Sequence, residues 1–115
     1  MKYLKSYNES IRQHLKPKSE DDIIKSIQNL TPIDKLLKGC QYGIMSIVKQ
    51  SLEEGADPSD SDNFAIQISS QNGHTDVVKE LLKDPRVDPS ANGNYAIRMS
   101  ADHGHTDVVK ELLKD

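Results

Sequence analysis

The sequence predicts an all-α solenoid: three stacked helix pairs behind a two-helix N-terminal cap. Three observations carry that reading. Residues 73–84 and 104–115 are the same twelve residues, Gly-His-Thr-Asp-Val-Val-Lys-Glu-Leu-Leu-Lys-Asp, displaced by 31 positions, and a fixed period of some tens of residues is the signature of a repeat array. The chain of 115 residues holds no Trp and one Phe, with 35% apolar residues, which suits thin, repetitive packing better than one wide core built on aromatics. Each copy also reads as two short helices punctuated by glycine. Such helices are marginal alone, because nucleation is costly, so each pair needs the stack.

Residues 1–30 show no repeat. Leu4, Tyr7, Ile11 and Leu15 have amphipathic spacing up to Pro17, which predicts one helix. Ser19-Glu20-Asp21-Asp22 then opens a second, with Ile23, Ile24, Ile27 and Leu30 as its apolar face and three acids against its positive end. These two helices are expected to cap the first repeat. Thr31-Pro32-Ile33-Asp34 starts the array with a Thr N-cap and a proline at the first helical position. The array then divides at about 31–59, 60–90 and 91–115. In the later copies Asn63 or Asn94 is placed to cap the first helix, which stops at Gly73 or Gly104, where a left-handed turn needs no Cβ. Thr75 or Thr106 suits the N-cap of the second helix. There Val77, Val78, Leu81 and Leu82 make one buried stripe that ends before Pro85. The first copy is more diverged: Gly43-Ile44 replaces Gly-His, and Ser51 replaces the first Leu.

The core Gly73-His74-x-x-Val77-Val78-x-x-Leu81-Leu82, its copy from Gly104 to Leu113, and Gly55-Ala56-Asp57 after the first copy's second helix resemble ankyrin repeats. The resemblance covers about residues 31–115. It implies a helical solenoid that binds another protein through its inter-repeat loops and first-helix surface. Two departures stand out: the period of 31 is shorter than the usual ~33, and the family's Thr-Pro-Leu-His becomes Phe64-Ala65-Ile66-Gln67 and Tyr95-Ala96-Ile97-Arg98. The leader segments Asn8-Glu9-Ser10-Ile11-Arg12 and Lys16-Pro17-Lys18-Ser19-Glu20 resemble a leader found on proteins of some large bacteriophages.

Charge and chemistry narrow the function. Net charge is −3, and residues 31–115 carry nine basic against fourteen acidic side chains, which argues against a nucleic-acid partner. No membrane span or secretory signal is read, and one cysteine, Cys40, fits a reducing, cytoplasmic setting. Residues 1–18 hold Lys2, Lys5, Arg12, Lys16 and Lys18 against Glu9, a balance suited to an acidic partner. The cluster Asp102-His103-Gly104-His105 offers metal ligands, but His105 stands at the family's structural Gly-His position and His14 lies in another element, so no metal or cofactor is expected. No phosphate loop, nucleophile elbow or paired carboxylate appears, and no enzymatic activity is expected. Binding through shape remains.

Differences between copies locate the expected reading surface: Asp60, Ser61, Gln67, Gln71 and Asn72 in the second copy face Ala91, Asn92, Arg98, Asp102 and His103 in the third, and Asn63 and Asn94, alike in both copies, stand beside them and are counted with the expected contacts. The second helices are copied unchanged. Because residues 104–115 repeat a helix built to receive a neighbour, Val108, Val109, Leu112 and Leu113 are expected to face solvent. Self-association through that edge, giving a homodimer, is the alternative function.

Overall fold

The structure, a computed structural model, describes residues 19–114. The leader helix expected over Leu4 to Leu15, with its basic residues and His14, lies outside the described residues. Those described form seven helices and no strand: α1 (Glu20–Ile27), α2 (Pro32–Tyr42), α3 (Met45–Glu53), α4 (Asp60–Gln71), α5 (Thr75–Leu82), α6 (Ala91–Asp102) and α7 (Thr106–Lys114). The first helices α2, α4 and α6 pack in sequence as one layer, and the second helices α3, α5 and α7 line the other.

Local sequence explains each start and stop. Ser19 caps α1 by accepting the Asp22 N–H at 3.2 Å, and Thr31 caps α2 by accepting the Asp34 N–H at 3.4 Å. Leu30 falls beyond α1, in the link to α2. Each first helix closes with one bond type, a second-helix N–H returning to a carbonyl five residues back: Ile44 to Gly39, His74 to Ser69 and His105 to Ser100, at 2.8–3.0 Å. Gly43, Gly73 and Gly104 make that return possible with φ between 70° and 75°, a region costly for any side chain. The second helix of the middle repeat begins one residue earlier than the Thr75 cap predicts. His74 is its N-cap and Thr75 its first helical residue, because the glycine turn leaves His74 outside helical geometry at φ −85°, ψ 78°.

Asn63 does not cap α4 either. Ser61, Asp62 and Asn63 form a left-handed turn with φ 55° to 65° in the first turn of α4, and Asn92, Gly93 and Asn94 form its copy in the first turn of α6. Three consecutive left-handed residues are unfavourable for L-amino acids. Specific bonds hold the turn: Asn63 N–H donates to Ser59 O at 2.9 Å, and Gln67 Nε2 donates to Asp62 O at 2.7 Å. In the next copy Asn94 N–H donates to Ser90 O and Arg98 Nε to Gly93 O, both at 2.9 Å.

The core runs along the stack. Leu36, Cys40, Val48, Ala65, Ile66, Val77, Val78, Leu81, Ala96 and Val108 are fully buried in one continuous cluster. A second cluster joins Ile27 of α1 to Ile44 and Ile47, with Ile23, Ile24 and Leu30 against it. Ser51, where later copies have Leu, is buried and donates to Ile47 O at 2.7 Å and Val48 O at 3.0 Å. Lys35 lays a buried stem across the repeat and pairs with Glu54 at 2.9 Å.

The C-terminal edge corrects the expectation of an open apolar stripe. Val108 is fully buried, Leu112 is only 7% exposed and Val109 is half-buried; Leu113 alone is strongly exposed, at 69%. The reason is geometric: the stripe of α7 packs back onto α5 and α6, and only the flank that would meet a neighbour is bare.

This packing sets the cost of truncating the core. Leu81→Ala, in the sandwiched repeat, is expected to cost about 2–5 kcal/mol in urea unfolding, and Leu112→Ala, beside the open edge, less. A larger loss at Leu112 would contradict that picture. Ser70 is fully buried, and its hydroxyl has no hydrogen-bond partner among the described residues, while its counterparts are Cys40 and Ala101. Ser70→Ala is therefore expected to stabilise by about 1 kcal/mol, since an unsatisfied buried hydroxyl is costly; a destabilised variant would mean that the hydroxyl is used.

Candidate functional site

Stacking the first helices side by side brings the turns ahead of α4 and α6, and the exposed sides of α2, α4 and α6, onto one face. The residues expected to read a partner fall into two groups there. Asn63 and Gln67 are 8% and 5% exposed, so neither offers its side chain to a partner. Asn63 Oδ1 accepts the Asp88 N–H at 2.8 Å, tying the turn of α4 to the loop that leads into α6, and Gln67 braces its own turn. Asn72 is exposed but also ties repeats together, its Nδ2 donating to Gln41 O at 3.1 Å. Gln71 accepts from the Tyr95 hydroxyl at 3.1 Å across to α6.

The others are exposed: Asp60 and Ser61 at one turn, Asn92 and Asn94 at the next, and Arg98, Asp102 and His103 along α6. Arg98 keeps the bracing role of Gln67 through Nε while its guanidinium lies 5.9 Å from the centre of the Tyr95 ring. His103 bonds Met99 O through Nδ1 at 2.8 Å, and its ring stacks on His105 with centroids 6.1 Å apart.

Comparison of copies missed the apolar part of this face. Leu30, Leu37, Phe64 and Ile68, with Asp34, Lys38 and Gln41, line a groove of about 510 Å³ between α2 and α4. Phe64 is 41% exposed although it is the sole Phe of the chain. The signal was present as similarity rather than difference: Phe64 and Tyr95 occupy one register, so a search for divergent positions passed over both.

The remaining polar groups belong to the scaffold. The Ser59 hydroxyl and N–H, at 2.7 and 2.9 Å, hold the Asp57 carboxyl below the usual carboxylate range. Ser90 does the same for Asp88, and Arg86 for Asp84. These carboxylates brace turns. Among the described residues no three His, Cys, Asp or Glu side chains converge on a metal-sized site, and no helix is long and apolar enough to cross a membrane.

Cys40 sits fully buried in the core, and burial pushes its thiol up to about 12. It is expected to resist iodoacetamide at neutral pH in the folded chain and to react in denaturant. The unfolded thiol ionises near ~8.5, the folded one only near 12, so stability is expected to fall as pH rises between them. Native Cys40 alkylated as fast as the unfolded chain would overturn this.

No curated protein and no solved structure matches the chain. A family model described as ankyrin repeats, in three copies, matches residues 36–115. Ankyrin repeats are generally protein–protein interaction modules and typically non-catalytic. The helix pairs, the glycine turns between them and the matched span agree: this chain belongs to the ankyrin-repeat family.

Proposed function

We propose that the chain is a non-catalytic cytoplasmic module that binds a partner protein across the α2–α4–α6 face and the left-handed turns, and acts by occluding or recruiting that partner. The observation that carries this reading is the groove between α2 and α4 with Phe64 exposed at its edge. Interfaces gain most from a few aromatic and Arg anchors in such recesses. Along the same face Tyr95, Arg98, Asp102 and His103 supply a polar and cationic continuation. Of the expected contact residues, Asp60, Ser61, Asn92, Asn94, Arg98, Asp102 and His103 remain in the proposal, with Phe64, Ile68 and Leu37 added. Residues 1–30 are read as the cap of the array, supported by the packing of Ile23, Ile24 and Ile27 on Ile44 and Ile47. A host factor is the expected partner if the phage-like leader marks a viral origin.

Homodimerisation through the C-terminal edge has one supporting observation, the 69% exposure of Leu113. With Val108 and Leu112 turned inward, that edge offers a smaller apolar patch than the repeated stripe predicts, and light scattering at high concentration tests it.

The decisive variant transplants one repeat's surface onto the next: Arg98→Gln, Asp102→Gln and His103→Asn, the residues of the second copy. Gln67 shows that Gln at this place can donate the bracing bond, so stability is expected to change by no more than about 0.5 kcal/mol. Capture of a partner from native host extract is expected to fall with this variant, and with Phe64→Ala. Undiminished capture by both would place the binding surface elsewhere.

A further inference from the structure

Six asparagines stand in the chain, and two of them, Asn72 and Asn92, are followed by glycine. That pairing carries the chemistry that makes asparagine thermolabile: the backbone nitrogen after it can attack the side-chain carboxamide carbon, and glycine, with no Cβ, leaves the approach open. After Asn29, Asn63 and Asn94 come Leu30, Phe64 and Tyr95, whose side chains crowd that nitrogen. The two Asn-Gly pairs are alike in sequence and unlike in the fold. Asn72 closes α4, its Nδ2 donates to Gln41 O at 3.1 Å, and the Gly73 N–H donates to Ser70 O at 3.2 Å. The His105 ring lies over Gly73 so closely that a Cβ there would stand 2.5 Å from Nδ1. Both reacting groups are held, and moving Gly73 would unseat the next repeat. Asn92 lies exposed in the left-handed first turn of α6, and among the described residues neither its side chain nor the Gly93 N–H makes a hydrogen bond. Nothing crowds Gly93: a Cβ built on it would meet only Arg98 Nη2, at 3.9 Å.

We propose that Asn92 is a site of spontaneous deamidation, which places a carboxylate on the face formed by α2, α4 and α6. The Gly93 nitrogen bonds to Asn92 Cγ, the side-chain amide nitrogen leaves as ammonia with the proton that the Gly93 nitrogen gives up, and a succinimide ring remains. Water then opens the ring. Attack at Cγ leaves an ordinary aspartyl residue; attack at the backbone carbonyl leaves an isoaspartyl residue, with the chain running through Cβ and Cγ. The closed turn holds the reaction back. At ψ 45° the Asn92 Cβ is anti to the Gly93 nitrogen, so ring closure waits on opening of the turn. That opening is local: three consecutive left-handed residues are unfavourable, and the turn is held by Asn94 N–H to Ser90 O and by Arg98 Nε to Gly93 O. Arg98 is therefore a positioning residue that sets the rate, and the new carboxylate arises in the turn that its guanidinium braces. The reaction needs no partner, so its test stands apart from the protein-binding reading.

The test incubates the folded full chain in mildly alkaline buffer and maps it by peptide mass spectrometry, with isoaspartyl and aspartyl products separated by chromatography. Asn92 is expected to react roughly tenfold or more faster than Asn72, because local opening governs the first and loss of a repeat junction the second. In urea the two are expected to react at similar rates. Arg98→Ala frees the turn and is expected to speed the reaction at Asn92 severalfold in the folded chain, while Arg98→Gln keeps the brace and is expected to leave it near the wild-type rate. Equal rates at Asn72 and Asn92 in the folded chain, or no product at Asn92, would overturn the proposal. A preference for Asn92 that persists unchanged in urea would also overturn it, by assigning the difference to the following residues His74 and Asn94 rather than to the fold, and a rate indifferent to Arg98→Ala would overturn the part given to the turn.

Discussion

The stacking of one repeat on the next depends on the seat of an imidazole over a glycine. The ring of His105 occupies the space that a Cβ on Gly73 would need, and His74 stands likewise on Gly43. The glycine does two things at once. Its positive φ lets the chain reverse between first and second helix, and its bare Cα lets the next repeat approach closely enough to close the core over Val77, Val78 and Leu81. Helices of eight to twelve residues gain most of their stability from such packing rather than from propensity. Gly104 makes the same reversal with no ring over it, so the seat sets the stacking distance between repeats, and with it the alignment of the face formed by α2, α4 and α6.

The left-handed turns are the second consequence of stacking. Ser61, Asp62 and Asn63 adopt a conformation that local sequence does not favour. Bonds from farther along the chain hold the turn: Asn63 Oδ1 accepts the Asp88 N–H from the loop that leads into α6, and Gln67 Nε2 donates to the Asp62 carbonyl. In the third repeat, Gly93 and two asparagines adopt the same turn with residues better suited to it, and among the described residues nothing bonds the Asn94 side chain. Tertiary contact in one copy and composition in the other reach the same backbone.

The periodic part of the molecule was readable because its determinants are local and repeated. The glycine stops, the Thr31-Pro32 start and the Val-Val-x-x-Leu-Leu stripe each specify short-range geometry that the stack then reuses. The candidate site was less readable, and residue 67 explains why. Gln67 and Arg98 differ, which a comparison of copies takes as a sign of recognition, yet both donate a side-chain N–H to the carbonyl five residues back. Two chemically different residues satisfy one structural demand, so divergence alone did not separate scaffold from surface. Phe64 shows the converse, a residue matched by Tyr95 in kind and still exposed. The edge was misjudged for a third reason: identical helices bury different amounts of themselves depending on whether another repeat packs beyond them. Val78 is fully buried and its copy Val109 is not, while Val77 and Val108 are both buried.

That last contrast separates the two faces of every second helix. Val77 and Val108 look back toward their own first helix and are covered wherever the repeat stands. Val78 and Val109 look forward, and their burial reports on the neighbour. The same division runs through the first helices: Ala65 and Ala96 are buried alike, whereas Ile66 is buried and Ile97 only half so, and Asn63 is buried where Asn94 is exposed. Each repeat is thus covered from behind by its own first helix, and its forward side is covered only where another described repeat packs on it: α6 and α7 cover Ile66 and Val78, while Ile97 and Val109 have no such cover among the described residues. Ahead of the array Ile23, Ile24 and Ile27 close over the first repeat's Ile44 and Ile47. Burial along the stack therefore reports a residue's place in the array as much as its type, and twelve identical residues bury differently in the two copies for that reason.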